Sequence, residues 1–174
     1  MQKYLAQHQQ SSLNIEILSK YKNNIFIESG SNTGEAIKIA LSLNFKKIIS
    51  CEPEKTFYNL CKTKFIKNNV ELYNLKSEDA FPLFIKDIEE EATFWLDGHG
   101  NYDCPIIKEL TLISKSPYKN HTILIDDCRM FGHDLWNQIK KEDVIKTIKQ
   151  INSKYNIFYE NTINGENDIM VAKI

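Results

Sequence analysis

The chain has 174 residues, 42% of them hydrophobic, which suits one ordinary domain with a real core. Its 22 basic and 23 acidic side chains nearly cancel, leaving a formal charge of -1 spread along the chain. That excludes the basic footprint of a nucleic-acid or membrane-surface binder. No apolar run approaches the roughly 20 residues needed to cross a bilayer, and the start from Met1 to His8 is too polar for a signal peptide. Cys51, Cys61, Cys104 and Cys128 have neither metal-type pair spacing nor the density of a disulfide scaffold. The expectation is a cytoplasmic protein with reduced thiols and a small-molecule partner.

Leu13, Ile15, Ile17 and Leu18 suggest a helix within an N-terminal extension over 1–22, ahead of the first strand. Seven short apolar, β-branched runs then follow, over about 24–28, 47–51, 70–75, 92–96, 121–126, 155–161 and 168–173. Between them, 34–43, 54–67, 79–90, 104–114 and 142–154 carry apolar residues at three- and four-residue intervals, the period of amphipathic helices. This alternation predicts an α/β domain over 1–174, a doubly wound, mostly parallel seven-stranded sheet with helices on both faces. Asn164-Gly165 joins the last two runs and readily supplies the positive φ of a tight reversal, so the last strand is expected antiparallel.

The first strand runs straight into Glu28, Ser29, Gly30, Ser31, Asn32, Thr33 and Gly34, after which a helix begins. Glycine there lets a backbone approach a ligand closely, and free N–H groups at a helix start accept an anionic group. Alone this indicates only a βα turn suited to ligands. The second strand ends at Cys51 and Glu52, and a carboxylate in that place can accept hydrogen bonds from both hydroxyls of a ribose. A dinucleotide oxidoreductase would want G-x-G-x-x-G, which Gly30-x-x-x-Gly34 does not supply.

These two features in register resemble the class I S-adenosylmethionine-dependent methyltransferases, over most of the chain from Asn24 to Ile174. The resemblance implies a Rossmann-like fold in which Glu28, Gly30, Ser31 and Gly34 surround the amino-acid half of S-adenosylmethionine. Glu52 would hold the ribose, and Ser77 with Glu78 would lie near the adenine. Ser77 equally suits the N-cap of the following helix. Asn32 stands where a glycine is common, and Asn is the residue besides glycine that best tolerates a left-handed backbone.

Strand four ends in Asp97, Gly98 and His99, and strand five in Asp126 and Asp127. Ligands of open α/β sheets bind outside the carboxyl ends of the strands, so these are site residues by position. Carboxylates converging there repel unless a proton or a cation compensates. A divalent ion such as Mg²⁺ is the economical solution, since oxygen ligands suit it and it would lower the pKa of a substrate hydroxyl. Asp126 or Asp127 could instead simply cap a turn.

The run from Leu96 to Tyr102, followed by Ile123 to Asp127, resembles the metal-dependent O-methyltransferases that modify sugars of macrolide-type natural products. Carried over residue by residue, the metal set is Asp97, Asp126 and Asp127. Asp97 also faces the cofactor and takes part in catalysis, and His99 becomes the candidate general base. Arg129, Phe131, His133 and Trp136 are read as one wall of the acceptor pocket. No Asn-Pro-Pro-Tyr tetrapeptide follows strand four, which argues against methylation of nucleobase amino groups. The expected activity is methylation of a hydroxyl on a sugar or other small metabolite. The alternative is a cofactor- or nucleotide-binding module without catalysis. So short a chain leaves little for a substrate lid, and a homo-oligomer is one way to complete the pocket.

Overall fold

The structure, a computed structural model, describes residues 12–100 and 103–174. Seven strands form one sheet: β1 Ile25–Ser29, β2 Lys47–Cys51, β3 Val70–Tyr73, β4 Ala92–Leu96, β5 Thr122–Ile125, β6 Asn156–Thr162 and β7 Gly165–Lys173. Their order is β3-β2-β1-β4-β5-β7-β6. The first five are parallel, and β7 runs antiparallel to both β5 and β6. The expected doubly wound sheet with a reversed last strand is therefore present.

Helices α1 Ile15–Lys20, α2 Glu35–Ser42 and α3 Lys55–Lys64 precede β3, while α4 Ser77–Phe84, α5 Ile106–Ile113 and α6 Lys141–Ile151 follow it. Strand alternation decides what each set covers. Phe26, Ile48, Trp95 and Leu124 meet Leu18, Ile37, Ala40 and Cys61 on one face. Ile27, Ile49, Phe94 and Leu96 meet Phe81, Leu110, Val144 and Ile148 on the other. With both faces covered, the inner strands β1, β4 and β5 are buried at every position, as in other sheets flanked by helices.

α1 is shorter than the expected extension, and Asn14 caps it by accepting a hydrogen bond from the Ile17 amide at 2.8 Å. Residues 1–11 of that extension lie outside the described residues. The final hairpin departs from its sequence signal. Thr162 pairs with Gly165, so the chain reverses through Ile163 and Asn164. The positive φ belongs to Asn167, at 53°, in an irregular stretch where its amide donates to the Asn161 side chain at 2.8 Å, and not to Asn164 or Gly165.

Register places the site. Ser29 sits between Cys51 and Leu96 across the sheet, and Leu96 neighbours Ile125. Glu52, Asp97 and Asp126, each one residue further on, thus emerge along one sheet edge. No helix among the described residues is long and apolar enough to cross a membrane.

Candidate functional site

A cleft of about 670 Å³ opens at these carboxyl ends, within the range of small-molecule sites. Its floor is the turn after β1. The Gly30 and Ser31 amides donate to the Cys51 carbonyl at 2.9 and 3.2 Å, which fastens the turn to β2. Gly30 has φ +83°, and a Cβ there would lie 2.6 Å from the Asp97 carbonyl oxygen, so only glycine lets the β1 and β4 exits close on each other. Asn32 adopts φ 45°, the left-handed conformation anticipated at this non-glycine position.

The acids of this half are held differently from one another. Glu52 Oε2 accepts from the Asn32 amide and Oε1 from the Glu54 amide, both at 2.8 Å, which aims the carboxylate along the turn. Each oxygen keeps a lone pair for a ligand. Glu28 is 2% exposed and accepts from Ser50 Oγ at 2.6 Å, with Ser50 bonded in turn to Ser31 at 2.6 Å. Burial, seconded by Asp97 and Glu52, pushes its pKa up to about 8 against the help of Ser50.

Glu28, Gly30, Ser31, Asn32, Glu52, Ser77, Glu78 and Asp97 all line the cleft. Gly34 does not. It caps α2 at φ +81°, with the Phe65 ring 2.5 Å from where a Cβ would stand, so its role is to seat α2 against α3. Ser77 is the first residue of α4, not its N-cap, which is Lys76.

At the other end of the cleft, His99 Nε2 lies 3.3 Å from Asp97 and 3.4 Å from Asp127. These are ion-pair contacts; neither reaches hydrogen-bond geometry. Burial disfavours the imidazolium, but Asp97 first, then Asp127 and Asp126, outweigh it and raise the His99 pKa. The ring stacks on Trp136 with centroids 4.5 Å apart. Asp127 itself takes φ 54°, which turns the carboxylate back toward His99 and Arg129. Arg129, Met130, Leu135 and Trp136 form a wall of the cleft, as expected of Arg129 and Trp136. Phe131 sits behind, edge-on to Trp136, and His133 accepts from the Leu135 amide in the adjoining turn.

The expected repulsion among the aspartates is answered by groups of this chain. Arg129 bridges Asp127 at 2.6 Å and both oxygens of Asp168 at 2.6 and 2.7 Å. Asp126, 4% exposed and hydrogen-bonded by the Ser12 hydroxyl, has its pKa pushed up to about 8 by burial and then by Asp97 and Asp127, which favours its neutral form. Among the described residues the carboxylates close enough to share an ion are Asp126, Asp127 and Asp168, with Asp168 in the place expected of Asp97. This set does not fit a divalent cation as it stands. The guanidinium occupies the space between two of the three ligands, and a dication would have to displace it.

Two participants had escaped the sequence reading. Asp168 lies on β7, remote in sequence from Arg129, and only the fold brings the pair together. Glu109 on α5 is fully buried beneath the β4 exit, and neither of its oxygens has a hydrogen-bond donor in place. It had a signal: Ile106, Leu110 and Ile113 form the buried stripe of α5, and Glu109 falls on that stripe.

No protein-family model matches the chain, and no curated protein matches it in sequence. Solved structures do match in fold. A protein of Streptococcus mutans assigned as a methyltransferase, in complex with S-adenosylhomocysteine, aligns over 92% of this chain and 95% of its own at 18% identity, TM-score 0.63. The O-methyltransferase of Bacillus cereus, also with S-adenosylhomocysteine, aligns over 92% of this chain and 78% of its own at 11% identity, TM-score 0.60.

 

A spermidine synthase, in complex with the transition-state analogue AdoDATO, aligns over 92% of this chain and 56% of its own at 10% identity, TM-score 0.63. At these identities the likeness establishes the Rossmann-like fold that such enzymes share, and the reaction has to be argued from the cleft itself.

Proposed function

We propose that this domain binds S-adenosylmethionine in the cleft and transfers its methyl group to a hydroxyl of a sugar or other small metabolite. The observation that carries this reading is the charge of the cleft. Among the described residues it is lined by Glu35, Glu52, Glu54, Glu78, Asp97, Asp103 and Asp127, with Glu28 and Asp126 held toward their neutral forms by burial, against Lys76, Arg129 and His99. Lys76 is paired with Asp103 at 2.6 Å and Arg129 with Asp127, so neither is free to hold a phosphate. Such a cleft repels the pyrophosphate of a dinucleotide and favours a ligand with a cationic centre.

The residues fit that ligand. The turn at Gly30 leaves room for a close approach of the backbone, Glu52 presents a fixed carboxylate for paired hydroxyls, and Glu28 with Asp97 offers acceptors for an amino group. When bound, S-adenosylmethionine supplies an electrophilic methyl group on a cationic sulfur. The protein's part is to align the acceptor and exclude water. Trp136, 2% exposed, and Leu135 close one side of the acceptor end.

Asp97 and His99, in contact at the β4 exit, are the groups in position to take the proton of the acceptor hydroxyl, with His99 held between Asp97 and Asp127. In this reading His99 is the general base and Asp97 its partner, the catalytic pair expected from the sequence.

Incubation with methyl-labelled S-adenosylmethionine and a panel of hexoses and polyhydroxylated metabolites tests the reading. Label on the acceptor, lost in Asp97→Asn, is expected. Tight cofactor binding with no turnover on any acceptor would favour a binding module instead.

A further inference from the structure

We propose, resting on the S-adenosylmethionine reading of the cleft, that α3 sets the shape of the turn after β1. Cys61 and Lys64 are its positioning residues, and they act on Glu52 through the backbone of Asn32 and Thr33. Three consecutive residues of the turn each meet one residue from the C-terminal end of this helix. The Cys61 thiol donates to the Asn32 carbonyl at 3.3 Å, and Lys64 Nζ donates to the Thr33 carbonyl at 2.9 Å. The Phe65 ring lies 2.5 Å from where a Cβ on Gly34 would stand. Positions three and four apart share a helix face, so 61, 64 and 65 present this row together.

The row ends at the carboxylate proposed to hold the ribose. The Asn32 amide donates to Glu52 Oε2 at 2.8 Å, and the amide of Glu54, the N-cap of α3, donates to Glu52 Oε1 at 2.8 Å. Glu52 is therefore suspended between the two ends of one helix, directly at the first and through Asn32 at the last. Asn32, Thr33 and Glu52 line the cleft, whereas Cys61 and Lys64 do not. These two side chains reach a ligand only through the turn.

The turn needs such support. Asn32 holds φ 45°, a conformation that costs any residue but glycine free energy. Released from α3, Asn32 can relax toward the right-handed region, which turns its amide off Glu52. Packing alone does not account for the thiol. Cys61 is fully buried in the apolar cluster on that face of the sheet, where a small apolar residue would pack as well but would leave the Asn32 carbonyl without this donor.

Calorimetry with S-adenosylhomocysteine and its 2′-deoxy analogue tests this. The ratio of the two affinities reads the ribose contact with Glu52, and a general loss of folded protein does not move it. Wild type is expected to prefer S-adenosylhomocysteine about tenfold, and Cys61→Ala and Lys64→Met are each expected to cut that preference to about threefold or less. Cys61→Ser, which keeps a donor, is expected to restore the preference to within about twofold of wild type. The Lys64 side chain is 35% exposed, so Lys64→Met decides the matter if Cys61→Ala fails to fold. The wild-type ratio in either Cys61→Ala or Lys64→Met overturns the proposal. So does a serine variant no more selective than the alanine one, or a wild type that binds both compounds equally. Wild-type protein that binds neither compound sinks the cofactor reading instead.

Discussion

Arg129→Ala is the sharpest test of how the acidic end of the cleft is held together. Asp168 is fully buried, and among the described residues only the Thr162 hydroxyl, at 2.7 Å, bonds its carboxylate besides Arg129. Removing one partner of a buried ion pair costs about 3–5 kcal/mol. The Arg129 side chain is 33% exposed, so water can enter the vacated space, and screening reduces the expected loss to about 2 kcal/mol. For a chain of this size that lowers the thermal midpoint by about 6 °C. Urea unfolding should show it as a shifted midpoint with an unchanged slope.

Asp168→Asn added to Arg129→Ala removes the stranded charge, so the double variant should be more stable than Arg129→Ala alone. The same variant tests the argument about a metal. With the guanidinium gone, Mg²⁺ in the millimolar range should stabilise Arg129→Ala and leave the wild type unmoved. A loss under about 0.5 kcal/mol, or strict additivity of the two substitutions, would refute the reasoning.

Three further outcomes are expected. Gly30→Ala combines a left-handed backbone with a Cβ 2.6 Å from the Asp97 carbonyl oxygen, and should cost about 2–3 kcal/mol in urea unfolding and abolish S-adenosylhomocysteine binding. Glu52→Gln keeps an acceptor but loses the charge that the Asn32 and Glu54 amides orient, and should weaken binding about tenfold by calorimetry. The buried acids Glu28, Asp126 and Glu109 should make stability fall from about pH 4.5 to about pH 8 and leave it level above. Glu28 and Asp126 keep their protons to about 8 and Glu109 to about 7 when folded, whereas the unfolded chain gives them up near 4.5 and 3.8, so the folded state binds more protons and loses that advantage as pH climbs. Glu28→Gln should flatten the profile of thermal midpoint against pH, and a profile that rises between pH 5 and pH 8 would count against the buried acids.

The strands that were legible in the sequence are those with the simplest physics. Lys47–Cys51 and Ala92–Leu96 have the bounds their apolar runs suggest, because both lie inside the sheet with helices on either face. β1 extends one residue further than its apolar run because Ser29 continues the ladder while its hydroxyl turns to the β4 exit. Helix ends were overestimated where apolar residues continue past the last turn. Ile66 follows α3 in the expected pattern, yet it is 76% exposed, and the helix closes at Phe65.

In the site, position along the sheet edge was readable because parallel strands end in register, and this placed Glu52, Asp97, Asp126 and Asp127 together. What compensates their charge was not. Arg129 meets Asp168 only because β7 is inserted beside β5, and Ser12 reaches Asp126 from the other end of the chain. Such pairings have no local signature. Glu109 had one, a charged residue on an apolar helical stripe, and it marked a buried group under the cleft.

Calorimetric titration of the wild-type protein with S-adenosylmethionine and S-adenosylhomocysteine, with NAD⁺ as the control, tests the central claim most directly. The account predicts saturable binding of both sulfur compounds and none of the dinucleotide. Absence of heat from either sulfur compound at millimolar concentration, or preference for NAD⁺, would contradict it.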